Sequence, residues 1–215
     1  LAQSIGARPS EIVFTGGGTE ADNLAIKGLY WLRRGEDSRR NRVLISAVEH
    51  HAVLDSALWL AEREGAQVEL LPVDPVGRLH PDTLRAAIEP DPDSVALVSV
   101  MWANNEVGTV QPVPQLVEVA RSHGIPIHSD AIQAVGQLPV DFAASGLDAM
   151  TLTGHKLGGP PGVGALPVTG GANLFPLIRG GGQDRGRRAG TENGPGIAGF
   201  AAATWMRGID WVALP

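Results

Sequence analysis

Residues 12–31 read IVFTGGGTEADNLAIKGLYW, and this stretch contains one complete repeat of the pattern that decides the fold. It begins with the apolar run Ile12-Val13-Phe14, passes through three consecutive glycines, and continues from Glu20 to Trp31 with a helical pattern. β-Branched and aromatic residues favour a buried strand, and glycines allow a sharp turn into the helix that follows. The stretch therefore predicts a strand followed directly by a helix.

The same alternation continues along most of the chain. Further apolar runs lie at 43–45, 68–71, 95–100, 125–127 and 149–152, and helix-period segments lie at 53–63, 81–87 and 113–121. Strands that alternate with helices predict an α/β fold, with a mostly parallel sheet and helices on both faces. In such sheets ligands bind beyond the carboxyl ends of the strands, so the residues after each apolar run are the candidates for a site.

Composition limits the classes of function. The chain has 215 residues, of which 43% are apolar, and a net charge of -6 that argues against nucleic acid as a partner. No apolar run reaches the ~18 residues of a membrane span, so we expect a cytoplasmic protein without a membrane partner. Cysteine is absent, which excludes disulfides, thiolate metal sites and a cysteine nucleophile from these residues.

The lysine of the tetrad Thr153-Gly154-His155-Lys156 follows the run at 149–152 and precedes a glycine-rich loop. A lysine in this position can be desolvated, and a desolvated amine loses its proton more readily and attacks carbonyl groups. Pyridoxal phosphate (PLP) enzymes need such a lysine to attach their cofactor. A solvated loop lysine is the alternative interpretation, and the motifs after the other strands decide against it.

The glycine-rich turn before Glu20 has the features of a phosphate cradle. Glycine N–H groups converge there, the new helix contributes the positive end of its dipole, and Thr19 adds a hydroxyl. The turn lacks the Gly-Lys-Ser/Thr of a Walker loop and the spaced glycines of a dinucleotide fold. An ordinary tight turn remains an equally good interpretation of this motif taken alone.

Asp130 follows the run at 125–127, and Gln133 comes three residues later. A carboxylate at the end of a buried strand is costly unless a cation or strong donor meets it. The protonated ring nitrogen of PLP would do so, and Gln133 could then donate to the phenolic oxygen of the ring. The alternative is that Asp130 caps a helix beginning at Ala131.

Two further polar motifs follow strands. His50 could stack on an aromatic ring and transfer protons, whereas the adjacent His51 gives no zinc-motif spacing, so we predict no metal site. Asn104 or Asn105 could bind a ring oxygen or a substrate carboxylate, or the pair could simply form a turn. The remaining histidines have no motif context, so we expect them on the surface or in packing: His80, His123 and His128.

Taken in order, these motifs resemble those of the class V aminotransferase-like PLP enzymes, and most closely those of the cysteine desulfurases. The resemblance extends over nearly the whole chain and implies the large domain of a fold type I PLP-dependent transferase. Six blocks carry it: 14–23, 48–53, 104–108, 130–136, 153–156 and 187–193. Two positions depart from the usual motifs, because Gly18 stands where alanine is common and Thr153 stands where serine is common.

The resemblance implies that Lys156 binds PLP covalently and shuttles a proton, that Asp130 pairs with the pyridinium nitrogen, and that His50 stacks on the ring. In this family the threonine of the last block reaches the phosphate bound by the neighbouring subunit, so Thr191 implies a homodimer. The remaining implied cofactor contacts are with the phosphate and a ring oxygen: Gly18, Thr19, Thr153 and His155 for the phosphate, Gln133 and Asn105 for the oxygen.

The implied reaction converts L-cysteine to L-alanine and leaves persulfide sulfur for an acceptor or scaffold protein in iron–sulfur cluster assembly. A selenocysteine lyase, another class V lyase or aminotransferase, and a non-catalytic PLP-fold binding or regulatory protein are alternatives. Family members carry the persulfide-forming cysteine and a substrate-binding arginine in a C-terminal small domain. We therefore expect residues 1–215 to be a PLP-binding large domain, truncated at both ends and without the small domain, that holds PLP but does not complete desulfuration.

Overall fold

A seven-stranded sheet forms the centre of the computed structural model, which describes residues 1–170 and 173–207. The strands are β1 (Ile12–Thr15), β2 (Arg42–Ser46), β3 (Gln67–Leu71), β4 (Val95–Ser99), β5 (Ile127–Asp130), β6 (Ala149–Thr153) and β7 (Gly164–Pro167). Their order across the sheet is β1-β7-β6-β5-β4-β2-β3. The α/β architecture predicted from the alternating pattern is therefore confirmed.

The sheet is mostly parallel, as predicted, with one reversed strand. Strands β3, β2, β4, β5 and β6 pair in parallel. Strand β7 pairs antiparallel with both β6 and β1, so β1 runs in the same direction as β6. The sequence did not predict β7, because Gly-Ala-Leu-Pro contains no β-branched residue and lies between glycine-rich segments.

Helices cover both faces of the sheet. Their bounds are α1 (Gly18–Glu36), α2 (His51–Glu64), α3 (Pro81–Ile88), α4 (Val113–Ser122), α5 (Phe142–Ser145) and α6 (Gly194–Arg207), with short 3-10 segments at Gln3–Ile5, Pro9–Glu11, Pro92–Ser94, His155–Leu157 and Gln183–Gly186. Helices α1 and α2 pack on one face, and α3 to α6 contribute to the core on the other. In the part of the chain that the structure describes, no helix combines the length and apolar character of a membrane span.

Helix α1 is stabilised by an apolar stripe and by charged residues in its first and last turns. Its buried residues Ala21, Leu24, Ala25 and Gly28 recur at three- and four-residue spacing and face the sheet. The acidic residue of its first turn, at position 20, and the arginines of its last turn complement the helix dipole. This packing fixes the first turn of α1 against the carboxyl end of β1.

Strand β5 begins at Ile127 and not at Ile125. Pro126 has no N–H to donate, and the pairing with β4 starts at Ile127 opposite Val98. The strand extends to Asp130, which is therefore its last residue. Because side chains alternate across a strand, His128 and Asp130 point to the same face, and Ile127 packs in the core on the other.

Candidate active site

A cavity of about 260 Å³ lies at the carboxyl ends of the parallel strands. Residues from five strand ends line it: Gly18 and Thr19 after β1, His50 and Ala52 after β2, Met101 and Asn105 after β4, Asp130, Ile132 and Gln133 at β5, and His155 and Lys156 after β6. The structure thus brings together all the predicted site residues except Thr153 and Thr191. Their convergence follows from the parallel sheet, which collects five sequence-distant turns at one edge.

The first turn of α1 forms one end of the cavity. Its N-cap residue, Gly17, has no side chain to satisfy the N–H groups that a helix leaves unpaired at its start. The Gly16 N–H is already engaged, because it donates to Glu20 Oε2 at 2.7 Å. The first-turn backbone at Gly18 and Thr19, together with the Thr19 hydroxyl, therefore provides a donor set that suits an anion.

Gly18 is also the point of closest approach between α1 and the turn after β5. A Cβ atom placed on Gly18 would lie 2.3 Å from Ile132 Cδ1, which is well inside contact distance. The neighbouring Gly17 has a φ of 157°, in the region that favours glycine. Glycine at position 17 thus suits the conformation of the turn, and a larger residue at position 18 would require Ile132 to move.

His50 is the N-cap of α2. Its Nδ1 accepts a hydrogen bond from the Ala52 N–H at 3.1 Å, so in the neutral ring the hydrogen is on Nε2. This bond fixes the imidazole at the cavity wall. Among the described residues, no three His, Asp or Glu side chains converge as metal ligands would.

Lys156 and His155 lie in the 3-10 segment after β6. Thr153 is buried beneath them, and its Oγ1 contacts His155 Nδ1 at 3.0 Å, so it orients His155 and does not line the cavity. The suggested desolvation of Lys156 is not present, because Lys156 is exposed in the described chain. In this tight turn the side chain of Leu157 enters the core, and those of the two preceding residues remain outside.

Asp130 is buried at the floor of the cavity. Its Oδ1 accepts the Ile132 N–H at 2.9 Å, and the residues after it form a turn, so it does not cap a helix at Ala131. Burial raises the pKa of Asp130 to about 6, while the Ile132 N–H and the nearby His50 act in the opposite direction. A carboxyl group in this condition would be stabilised in its ionised form by a cation bound in the cavity.

The structure separates the two asparagines. Asn104 is buried and holds its own turn, because it donates to the Val48 carbonyl at 3.0 Å and accepts the N–H groups of Glu106 and Val107 at 2.9 Å. Asn105 is exposed and lines the cavity. Of the two interpretations left open by the sequence, Asn104 thus follows the turn and Asn105 lies with the site residues.

Thr191 is exposed and does not line the cavity formed by its own chain. It follows a segment in which Arg188 pairs with Glu20 of α1 at 2.8 Å. That pair anchors the segment close to the glycine-rich turn. The contact of Thr191 with a neighbouring subunit stays a prediction.

Three polar residues behind the cavity were not predicted as site residues: Asp22 and His128, which are fully buried, and Glu49, which is partly buried with its Oε2 inaccessible. Glu49 accepts the Met101 N–H at 2.8 Å and the Ser46 hydroxyl, and burial raises its pKa to about 8 although both bonds oppose the shift. Asp22 and His128 are fully buried next to each other, with Asp22 Oδ1 at 3.7 Å from His128 Nε2. His128 was expected on the surface or in packing, and the structure places it in the packed interior.

Comparison with known proteins gives consistent matches. The Aminotransferase class-V family matches residues 1–212. An IscS-like cysteine desulfurase of Mycobacterium tuberculosis is 56% identical over 203 residues, which are 94% of this chain and 51% of that protein. The chain spans about half the length of the curated relatives it matches.

Solved structures extend the comparison to the fold. A NifS-like protein matches with a TM-score of 0.88 and 36% identity, over 96% of this chain and 55% of that one. A structure titled SspA in complex with cysteine matches with a TM-score of 0.87 and 40% identity, over 95% of this chain and 57% of the other.

Proposed function

The chain belongs to the class V aminotransferase family, and from that premise we propose that it forms the PLP-binding part of a cysteine desulfurase. The observation that carries the proposal is the meeting of Lys156, Asp130 and the first turn of α1 in one cavity of about 260 Å³. An amine, a buried carboxyl group and an anion-binding helix end are the three features that PLP requires. Relatives named cysteine desulfurases support the choice of substrate.

The residues present fit PLP on two independent grounds. Asp130 is a buried carboxyl group that accepts one backbone N–H, burial raises its pKa to about 6, and a protonated ring nitrogen would stabilise its ionised form. The start of α1 has no side-chain cap, and its donors suit a phosphate group. Asp130 would thus pair with the ring nitrogen, and Gly18 and Thr19 would hold the phosphate.

When bound, PLP would supply an electron-accepting ring that stabilises the charge left when a bond to the substrate α-carbon breaks. Lys156 would hold the cofactor, and its amine, once freed, would take up and return the α-proton. Asp130 would keep a negative charge beneath the ring nitrogen. His50 would cover one face of the ring, and Asn105 and Gln133 would donate to its phenolic oxygen.

Taking the substrate's sulfur as a persulfide needs a thiolate, because no hydroxyl group has comparable nucleophilicity toward sulfur. The 215 residues contain no cysteine, so they cannot supply that group themselves. We therefore propose that these residues bind PLP and carry out proton transfer, and that they form no persulfide from L-cysteine without a thiol from elsewhere. Transfer of the sulfur to an acceptor or scaffold protein for iron–sulfur cluster assembly belongs to the same proposal.

The two lysines of the chain allow a clean test of the cofactor site. Besides Lys156 there is Lys27, which lies over the Trp59 ring at 4.3 Å from its centroid. The purified protein is incubated with PLP, and visible absorbance is recorded for the wild type, Lys156→Ala and the control Lys27→Ala. We expect a visible band in the wild type and in Lys27→Ala, and none in Lys156→Ala.

Reduction with borohydride followed by peptide mapping gives a second readout. The reduced adduct should be found on the peptide that contains Lys156. A protein that stays colourless with PLP, or an adduct on Lys27, would show that the cavity does not hold the cofactor as proposed. Formation of L-alanine from L-cysteine at a rate comparable to that of a full-length relative would contradict the division of roles.

We also propose that the protein is a homodimer, because of the position of Thr191. Its hydroxyl is exposed and outside the cavity of its own chain, which suits a contact with phosphate held by a second copy. Thr191→Ala should then weaken PLP binding without lowering the free energy of unfolding of the protein without cofactor. Sedimentation of the PLP-bound protein as a monomer would contradict the shared site.

A further inference from the structure

Several ionisable groups lie buried behind the cavity, and the proposed reaction uses only Asp130 among them. Asp22 of α1 and His128 of β5 are both 0% exposed, and Asp22 Oδ1 lies 3.7 Å from His128 Nε2. Asp130 follows His128 by two residues and shares its face of the strand. Glu49, after β2, is the other acidic group whose charge acts on Asp22.

This cluster lacks a permanent positive charge. Among the described residues, His128 is the one basic group that forms an ion-pair contact with Asp22, and no lysine or arginine does so with Glu49 or Asp130. His128 contacts the Ser99 hydroxyl at Nδ1 and the Thr151 hydroxyl at Nε2, both at 2.9 Å. These two hydroxyls satisfy the one donor and the one acceptor of a neutral imidazole ring. Burial lowers the pKa of His128 to about 3, so the ring does not supply the missing charge.

Two neighbouring buried carboxyl groups without a cation do not both ionise readily, since like charges repel strongly in a medium of low polarity. The structure distinguishes the two groups by their donors. Asp130 accepts the Ile132 N–H at 2.9 Å and opens onto the cavity, whereas neither oxygen of Asp22 has a hydrogen-bond partner among the described residues. Hydrogen bonds to the ionised form decide which group keeps the charge, and they favour Asp130.

We propose that Asp22 is a positioning residue, which stays protonated beside His128 and so leaves Asp130 as the ionised carboxylate that faces the bound cofactor. The part that concerns the ring rests on the proposed function, and the proton on Asp22 is a property of the chain itself. Burial, and then the charge of Asp130, raise the pKa of Asp22, while the nearby Thr151 hydroxyl opposes the shift.

Infrared spectroscopy of the purified protein without PLP tests the proton directly. A protonated carboxyl group gives a separate C=O band, and isotope-labelled aspartate shifts aspartate bands while leaving that of Glu49 in place. We expect a protonated aspartate band near neutral pH that disappears in Asp22→Asn. Asp148→Asn is the matched control, because Asp148 is a partly buried carboxyl group that accepts the Ile127 N–H at 2.9 Å at the opposite end of β5.

A second measurement tests the coupling to Asp130, which a merely structural role for Asp22 would not produce. Asp130→Asn removes the like charge, so the pH at which the Asp22 band disappears should fall by about one unit or more. Because this comparison uses the labelled wild type and one variant at another position, it remains decisive if Asp22→Asn does not fold. An unchanged midpoint, or a wild-type spectrum without the aspartate band, would overturn the proposal.

The outcomes separate this inference from the proposed function. If PLP gives no visible band but the infrared band and its shift are present, the cofactor assignment is wrong and the proton on Asp22 stands. If PLP binds at Lys156 and the infrared band is missing, the role of Asp22 is wrong and the cofactor assignment stands.

Discussion

The contact between Gly18 and Ile132 predicts that one destabilising substitution rescues another. An alanine at position 18 would place its Cβ 2.3 Å from Ile132 Cδ1, whereas non-bonded carbons pack at about 3.5 Å or more. Ile132 Cδ1 must therefore move by more than about 1 Å, toward the cavity that this side chain lines. We expect Gly18→Ala to lower the free energy of unfolding by about 1–3 kcal/mol, the usual cost of overpacking.

The rescue follows from the geometry of the second site. Ile132→Ala removes Cγ1 and Cδ1, the atoms nearest to the new methyl group, and the next neighbour, Thr153 Cβ, is 3.6 Å away in ordinary contact. In the Ile132→Ala background Gly18→Ala should therefore cost less than about 0.5 kcal/mol, which leaves a coupling energy of about 1–2 kcal/mol. The double variant also carries the alanine that is common in the family at position 18.

Urea unfolding of the wild type, both single variants and the double variant gives the four free energies needed. Gly35→Ala is the control in the same helix, because a Cβ there meets nothing within 4 Å, and it should stabilise the protein by about 0.5–1 kcal/mol. PLP affinity should follow the same order, falling in Gly18→Ala and recovering in the double variant. Additive free energies would refute the reasoning, since they would mean that the two side chains do not compete for space.

Three further experiments test the site. Asn104→Ala should lower the free energy of unfolding by about 2 kcal/mol, because it removes a buried side chain that bonds three backbone groups. Asn105→Ala should leave thermal unfolding unchanged and weaken PLP binding. Equal melting temperatures of the two variants would contradict this. Thr153→Val should weaken PLP binding about two- to tenfold, because it removes the hydroxyl that holds His155, whereas Thr153→Ser should not weaken it. Equal PLP affinities of the two variants in calorimetry would contradict this role of the hydroxyl. Glu49→Gln should flatten the pH dependence of the free energy of unfolding between about pH 5 and 8. In the wild type the Glu49 carboxyl group has a pKa of about 8 in the folded protein, so it keeps a proton that the unfolded chain has released. The free energy of unfolding therefore falls as pH rises, by at most about 1.4 kcal/mol per pH unit. Parallel curves of unfolding free energy against pH for wild type and variant would contradict it.

The sequence predicted the residues that follow strands, because the physical rule is simple. In a parallel sheet, turns distant in sequence meet at one edge, so His50, Asp130 and Lys156 could be grouped before any geometry was known. The choice between Asn104 and Asn105 could not be made in that way. It depends on which amide closes the turn through backbone N–H groups, and side-chain direction within a turn is not periodic.

Residues inside helices and strands were missed for a different reason. Asp22 lies within the pattern of α1, and His128 comes directly after the apolar run at 125–127 but carries no motif around it. A usable signal was present in β5: His128 and Asp130 are two residues apart and must share a face. The exposure of Lys156 was also beyond the sequence, since it depends on which residue of a 3-10 turn enters the core.

The distribution of the cavity residues over five strand ends links the site to the folding of the whole sheet. Its wall runs from Gly18 to Lys156, and none of the intervening strands contributes more than a few adjacent residues. No local segment can therefore bind the cofactor before β1, β2, β4, β5 and β6 have assembled, and such long-range pairing forms slowly. Cofactor binding should thus follow folding and stabilise the completed sheet by mass action, so the colour of the bound cofactor would report on the integrity of the entire fold.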